Sequence, residues 1–585
     1  MPASLVQGDS LLAVDIGGAN TRAVLFDVVE GEYRFLASSS AQSTAEAPVR
    51  DVSEGVRNAI ASLQATTSRT LLDNDRRLIT PSQADGTGVD AFVATLSAGP
   101  ALKTVIVGLL SDVSLESARR LAETTYSRVL DSVGINDRRK TDQQIDRLMR
   151  LQPDVVIITG GTDGGASRSI RKMLEPVGLS SYLSASEKRP AVLFAGNQKL
   201  DHEVKELLGN VTSALHFSAN VRPSLDTEDL EPAARELASL YLGVRKRQLK
   251  GVDLIESWAG GHVLPTAYAE GRMLRFLGQV YGSTRGGILG VDMGASAAVV
   301  AAGFQEKTTL GVYPHFGLGE NLPALLQYTT LEDILRWSPL DVSTGVLRDF
   351  LYQKSLYPST IAATKEDQSL AQAVTRQALY LAMQAARRDF PRSAKPVQAG
   401  LMPSFEPILA GGGALGDAPT PAQGLLLLLD AIQPVGVSTI ILDRSNLLPV
   451  LGAASVKNSI LPVQVLESGA FESLGTTVSL VSPRTHGALV ARARLTYDNG
   501  TEARADIKFG ELCVLPLPTG QSAKLTLQPQ FGVNAGFGAG RSTTVTVSGG
   551  QMGVVIDGRG RPLVLPDDGD MRREQIKKWQ SMVGG

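Results

Sequence analysis

Two segments far apart in the chain each end an apolar run with an aspartate followed by small residues. They are DIGGANT, Asp15–Thr21, after the run that starts at Leu11, and DMGASA, Asp292–Ala297, after the run that starts at Gly286. A second apolar run follows each at once, so both read as antiparallel strand–turn–strand units. The chemistry such a unit offers is specific. The strand delivers a carboxylate to the mouth of a cleft, and glycines let backbone N–H groups approach phosphate oxygens. The aspartate can hold a hydrated Mg²⁺, an ion that keeps several waters and takes one or two carboxylates. Two such hairpins facing each other would clamp a triphosphate from both sides. A third segment, LAGGGAL (Leu409–Leu415), fits G-x-G-x-x-G through Gly411, Gly413 and Gly416. A dinucleotide site needs a helix to open at once, and Pro419 and Pro421 postpone it. A glycine turn along which a nucleoside can lie is the remaining reading. The candidate site is therefore Asp15 and Asp292 for the metal, with Gly17, Gly18, Ala19, Asn20, Thr21, Gly294, Ala295 and Ser296 for the phosphates. Gly411, Gly412 and Gly413 would line the nucleoside.

The elements that must position these residues alternate between β and α types. Runs at 11–17, 21–29 and 33–40 predict an antiparallel meander, and Val52, Val56, Ile60 and Leu63 predict one helix face. Residues 65–88 read as a loop. Apolar runs at 103–110, 154–159, 190–195 and 213–218, with helical patterns between them, predict a largely parallel sheet with ligand sites at strand C-terminal ends. The opening theme recurs from Gly286, and LLPVLGAAS (Leu447–Ser455) predicts a small-residue helix. Beyond Val465 the pattern becomes alternating strands with an Asp498–Asn499–Gly500 hairpin turn, then an amphipathic helix with Ile576, Trp579 and Val583 on one side. The expected organisation is α/β: a first lobe with an inserted α/β subdomain (1–260), a second lobe (261–465), a β-sandwich-like domain (466–566) and a C-terminal helix (567–585).

Composition excludes several classes. With 585 residues, 43% of them hydrophobic and 20% charged, a large core is feasible and global disorder is not. Lys+Arg 57 against Asp+Glu 59 gives a net charge of -2, which argues against nucleic acid as a partner. Cys513 is the only cysteine, so no intrachain disulfide and no Cys-rich metal site can form. No apolar run is long enough to cross a membrane, and the opening MPASLVQGDSLLAV lacks the features of a leader. A cytoplasmic protein is expected.

Taken together, the three glycine segments resemble the phosphate-1, phosphate-2 and adenosine motifs of the actin, heat-shock chaperone and sugar-kinase ATPase superfamily. LLPVLGAAS is similar to the helix packed between the lobes there. The resemblance implies a two-lobed, ribonuclease H-like ATPase core that binds ATP and Mg²⁺. DVVIITGGTDGG (Asp154–Gly165), FAGN (Phe194–Asn197), SANVRP (Ser218–Pro223) and LPTAYAEG (Leu264–Gly271) resemble a narrower group, the glutamate mutase L family. Its members are accessory proteins of coenzyme-B12-dependent methylaspartate mutase, unrelated to the mismatch-repair protein that shares their short name. The implied role is an ATP-using reactivating chaperone whose partner is a B12-dependent mutase subunit, with a homo-oligomer also open.

The second phosphate loop departs from the family pattern Asp-x-Gly-Gly-Ala-Thr-Thr-Asp. Ala295, Ser296, Ala297 and Ala298 supply fewer polar groups, so ATP binding can persist while hydrolysis is slow or lost. Arg22 stands where a lysine is common. No Gly-Lys pair exists for a Walker A loop, and no histidine has an aspartate two positions before it, as a cobalamin ligand motif requires. The catalytic residue is not assignable from sequence. A filament or scaffold protein, a small-molecule kinase of the same fold and a pseudo-ATPase are the alternatives. GGTDGG reads either as an anion or partner site or as a turn whose Asp163 caps the next helix. The basic run Arg245–Lys250 reads as a solvated helix end.

Overall fold

The computed structural model describes residues 9–281, 286–305 and 307–584. Met1–Gly8, part of the segment read above for leader features, lies outside the described residues.

The first lobe opens on an antiparallel meander, β1 (Leu11–Ile16), β2 (Asn20–Val29) and β3 (Glu32–Gln42). Helix α1 (Val52–Thr67) starts at Asp51, whose carboxylate accepts from Ser53 N at 2.9 Å. The helix buries Val56, Ile60 and Leu63 against the meander. The chain then returns through β4 (Ala91–Leu96), parallel to β1.

An inserted unit follows: β5 (Leu102–Val107), α2 (Glu116–Ala122), β6 (Ser127–Val133), α3 (Thr141–Leu151), β7 (Val155–Ile158), α4 (Ser167–Leu183), β8 (Ala191–Phe194), α5 (Asp201–Leu208) and β9 (Ala214–Phe217). Its five strands form one parallel sheet in the order β6-β5-β7-β8-β9. Four of them are the expected apolar runs. The fifth, β6, has a polar sequence (SRVLDSV) and exposed positions suited to a sheet edge. Helices α6 (Glu231–Gln248) and α7 (Val252–Ala259) lead back to β10 (Val263–Pro265), which completes a sheet of order β10-β4-β1-β2-β3. Arg245 corrects the reading of its run as solvated. Its side chain is fully buried in α6, donating to Pro100 O and Gln248 Oε1 with its guanidinium 4.7 Å from the Tyr241 ring.

Helix α8 (Thr266–Tyr281) carries the chain to the second lobe. There β11 (Gly287–Met293), β12 (Ala298–Gly303) and β13 (Thr308–Tyr313) repeat the meander, and helices α9 (Leu331–Leu335), α10 (Thr344–Leu356) and α11 (Lys365–Ala386) cover it. After β14 (Phe405–Gly411) come α12 (Gly413–Gly416), α13 (Pro421–Ile432), β15 (Gly436–Leu442), α14 (Leu447–Ala454) and α15 (Ile460–Glu467). The order β13-β12-β11-β14-β15, with β14 and β15 parallel to β11, reproduces the topology of the first lobe. This duplicated mixed sheet is the actin-like, ribonuclease H-like architecture. Helix α14 lies on α8 with Gly452 at the crossing. A Cβ there would sit 2.0 Å from Ala269 O, so only glycine permits this approach.

The remaining strands are β16 (Glu472–Ser479), β17 (Leu489–Tyr497), β18 (Glu502–Lys508), β19 (Leu512–Leu515), β20 (Ser522–Pro529), β21 (Thr543–Ser548) and β22 (Val554–Asp557). They divide between two sheets. β16, β22 and β19 extend the sheet of the second lobe beyond β15, while β18-β17-β20-β21 form their own antiparallel sheet. The last helix, α16 (Gly569–Met582), is capped by Asp568 and seats Ile576 and Trp579 in the core of the second lobe. A buried charge cluster ties these parts together. Arg559 donates to Asp430 of α13 at 2.7 Å and to Asp557 of β22 at 2.9 Å, its guanidinium 4.8 Å from the Trp579 ring. Arg376 of α11 is the second partner of Asp430, and Arg561 the second partner of Asp557.

Candidate functional site

Each lobe delivers its aspartate from the same place, the C-terminal end of its first strand. Asp15 ends β1 and Asp292 ends β11. The turns that follow close on themselves in the same way. Gly17 N donates to Asn20 O at 3.0 Å, and Gly294 N to Ala297 O at 3.1 Å. The two turns meet. A Cβ built on Gly18 would lie 2.8 Å from Ser296 Oγ and 3.7 Å from Ala295 Cβ. Residues nearly 280 positions apart (~280, the span of one duplicated lobe) therefore face each other across the boundary between the lobes.

The third glycine segment joins them through the β11–β14 pairing, which sets Asp292 opposite Gly411. A Cβ on Gly411 would be 3.4 Å from Asp292 Oδ2. Gly412 has φ +84, and a Cβ there would lie 2.6 Å from Met293 N, so this turn requires glycine twice over. Gly413 opens the single helical turn α12. The expected delay of the helix is thus only partial, since this turn precedes Pro419 and the long α13 begins at Pro421.

Not every named residue points inward. Thr21 pairs with Ile16 and shares its sheet face, its hydroxyl lying beside Gly55 of α1, so its backbone is what it offers the turn. Arg22, on the opposite face with Asp15, donates to Arg444 O at 3.1 Å, and its charge partly offsets the raised proton affinities of Asp15, Asp292 and Asp443.

Sequence reasoning missed much of the cluster. Asp15 accepts from Thr95 Oγ1 at 2.6 Å, from Thr266 Oγ1 at 2.9 Å and from Asn446 Nδ2 at 2.9 Å. Asp443, after β15, accepts from the N–H groups of Leu447 and Leu448, both at 2.7 Å, and so anchors the start of α14. Glu270, one turn into α8, is 2% exposed, and its Oε2 has no partner among the described residues. Burial, and then the charges of Asp15 and Asp443, push Asp292 up to about 7. Burial pushes Asp443 up to about 6 despite its two N–H donors. Glu270 is raised well above the carboxylate range by burial, then by Asp292, Asp443 and Asp15. Four buried acids that raise one another's proton affinity cannot all ionise without a counter-charge.

This donor set fits a hard, hydrated cation beside phosphates. It is all oxygen, and two buried oxygens, Glu270 Oε2 and Asn446 Oδ1, are orphaned. Among the described residues no three His, Cys, Asp or Glu side chains are grouped to chelate an ion unaided. An ion held mainly through its own waters is the compatible mode.

The segment after β13 supports the second turn. Leu318 N donates to Gly294 O and Gly319 N to Ala295 O, both at 3.0 Å. His315 fixes that segment, stacked 4.7 Å from Tyr328 and packed on Phe316 and Tyr313. Burial, then the charge of Arg128, pushes His315 down to about 4. Between that value and the ordinary imidazole range the unfolded chain binds the extra proton, so stability falls as pH is lowered from about 6.5 toward 4, by at most about 1.4 kcal/mol per pH unit. Denaturant unfolding of His315→Phe at pH 7.5 and 5.0 should show a smaller acid loss than wild type; equal losses would assign the acid sensitivity elsewhere.

The GGTDGG loop lies at the C-terminal edge of the inserted sheet. Asp163 does not cap α4, because the N-cap position is Ala166 with no side-chain bond. Asp163 instead accepts from Asn220 Nδ2 at 2.9 Å, and Asn197 bonds Gly164 N and Gly165 O. Three of the segments singled out in the sequence thus form one hydrogen-bonded unit.

A family model described as MutL protein matches residues 11–469, a span that takes in both aspartate turns, the glycine turn and this loop. The chain belongs to the MutL protein family. Protein MutL of Clostridium tetanomorphum is 28% identical to this MutL-family chain over 215 residues, 36% of this chain and 43% of that protein. The match thus spans less than half the length of that relative. Among solved structures, nucleotide-free acetone carboxylase is 12% identical, covering 88% of this chain and 82% of its own, with a TM-score of 0.29. Nucleotide-free diol dehydratase-reactivating factor is 11% identical, covering 79% of the MutL-family chain and 100% of its own, with a TM-score of 0.29. No helix among the described residues is long and apolar enough to cross a membrane.

Proposed function

We propose that this protein binds ATP with Mg²⁺ between its lobes and acts as an accessory chaperone that reactivates a coenzyme-B12-dependent mutase of the glutamate mutase type. The observation that carries the nucleotide part is the meeting of two equivalent turns, Gly18 against Ser296, beside the four buried acids. Gly18–Asn20 and Ala295–Ser296 present backbone N–H groups to the phosphates, Gly17 and Gly294 close the two turns with theirs, and Gly411–Gly413 borders the adenosine. Asp15 and Asp292 hold the ion through water, and bound Mg²⁺ supplies the positive charge that lets these carboxylates ionise. Glu270, whose buried Oε2 has no partner among the described residues, is the carboxylate that would accept a proton from an attacking water once a bound cation lets it ionise. The mutase partner rests on the family membership and on the four segments quoted above. Nucleotide opens and closes the lobes, and the partner reads that state. A cytoplasmic setting belongs to the same proposal.

One observation favours a second reading. Ala297 and Ala298 are buried and bring no polar group to the second turn, which suits a protein that binds ATP and turns it over slowly or not at all.

Asp15→Asn tests the site with little change of shape. The amide oxygen can still accept from Thr95 and Thr266, and Asn446 can rotate, since its Oδ1 is unpartnered. Mg–ATP affinity by calorimetry should fall about tenfold or more, the loss expected for a charge-assisted contact. Unchanged affinity would remove Asp15 from the site. Pull-down of tagged protein with and without ATP should recover a B12-dependent mutase subunit; recovery of only the protein itself would favour the filament alternative.

A further inference from the structure

A cavity of about 370 Å³ lies on the other side of α8 from the acid cluster. Glu270 faces the acids, while Tyr268, Arg272 and Arg275 of the same helix line the cavity. The opposite walls come from Arg120 of α2, from Glu228–Glu231 at the start of α6, and from Phe304 and Lys307–Leu310 of the second lobe. Both lobes thus contribute, and the volume is that of a metabolite-sized site.

Its lining carries five acids, Glu123, Glu228, Asp229, Glu231 and Asp389, against four cations, Arg120, Arg272, Arg275 and Lys307, so what a ligand meets depends on which of them are already paired. The acids are already committed. Glu228 accepts from Ser117 at 2.8 Å, from Arg120 through both oxygens, from Arg222 at 3.3 Å and from Lys307 at 3.4 Å. Asp389 accepts from Arg119 and Arg120, and Glu123 accepts from Arg119. Glu231 pairs with Arg275, and Asp229 accepts from Glu231 N at 3.1 Å.

The cations are not used up in the same way. Arg272 makes one hydrogen bond among the described residues, to Ser455 Oγ at 3.2 Å, and reaches no carboxylate. Among the described residues Arg275 bonds only Glu231, through one nitrogen, and Lys307 reaches Glu228 at 3.4 Å. A guanidinium carries five N–H donors, so Arg272 and Arg275, three positions apart on one helix face, retain unused donors. Thr309 Oγ1, also in the lining, is buried without a partner among the described residues. Leu230, Ala234, Leu310 and the Tyr268 ring supply apolar wall.

We propose that this cavity binds a small organic anion, a carboxylate or phosphate ester with an apolar portion, held by Arg272, Arg275 and Lys307 and bridging the two lobes. The inference is independent of nucleotide binding in the other cleft.

The sole cysteine, Cys513, makes a charge-selective test practical. In a Cys513→Ser background, Thr308→Cys places a thiol on the cavity wall. Its labelling by an anionic methanethiosulfonate should exceed that by a cationic one by about 10-fold, after normalising to a free thiol, because the Arg272 and Arg275 donors left unused beside acids that are already bonded raise the local concentration of anions. Arg272→Gln/Arg275→Gln should abolish the preference, and Arg272→Lys/Arg275→Lys should retain it. Inorganic phosphate and citrate, tested separately, should slow labelling saturably, and the more effective of the two distinguishes a phosphate from a carboxylate site. Equal rates for the two reagents, or a preference that survives the glutamine variants, would overturn the inference. So would labelling indifferent to both anions. Because each rate ratio comes from one folded preparation, a loss of stability alone does not imitate the expected result.

Discussion

Glu270→Gln is expected to lower ATP turnover by about 100-fold or more, the usual contribution of a positioned general base, while leaving Mg–ATP affinity within a few-fold of wild type. The expectation comes from where Glu270 sits. It is 2% exposed, has one oxygen without a partner among the described residues, and has its proton affinity raised by burial and then by the charges of three aspartates. A buried carboxyl with no structural bond at that oxygen contributes little to the fold that glutamine of the same size cannot replace. The split between turnover and affinity is the informative part. If both fall together, Glu270 shapes the site and does not act on water. If wild type itself shows tight ATP binding with no turnover, the alanines of the second turn decide the matter, and Glu270 is a relic.

The second large effect is on stability. Arg559→Met should cost about 3–5 kcal/mol, the range for removing one partner from a buried ion cluster. Arg559 is 3% exposed and joins Asp557, which is fully buried, and Asp430, which is 7% exposed. Burial alone would raise Asp557, but the charges of Arg559 and Arg561 more than reverse this and hold its carboxyl well below the usual range. A depressed folded pKa stabilises above the unfolded value and is lost as pH falls through the folded one. The variant should therefore unfold at a higher pH on acidification as well as at lower denaturant. A change under about 1 kcal/mol, the level of an exposed ion pair, would mean that Arg376 and Arg561 suffice alone.

The parts of the site legible in the sequence are those where backbone demands a residue type. Asp15-Ile-Gly and Asp292-Met-Gly announce themselves because a strand end, an acid and a tight turn fall within a few positions. Gly412 is legible for the same reason, its positive φ and its closeness to Met293 admitting nothing larger. Glu270 and Asp443 are less legible: Glu270 falls in LPTAYAEG, a segment quoted for its resemblance and not for chemistry, and Asp443 carries no motif. Each is a single acid in an ordinary helical or strand-end context, and only the packing of α8 and α14 across the lobes buries them together. Arg245 misled for the converse reason, since a run of basic residues looks the same whether or not one member turns inward under Tyr241. The division of 466–566 between two sheets was equally hidden. Alternation shows that a segment is β, while the neighbour it pairs with is a matter of tertiary contact.

That pairing has a consequence for how the molecule is made. Because β22 and β19 finish the sheet that begins at β13, and Trp579 closes its core, the second lobe lacks its final strands until residues 554–579 have left the ribosome. The first lobe and its insert can fold during synthesis. The second must wait, with the edge of β16 unpaired, and for that interval the nascent chain is a natural client for holding factors.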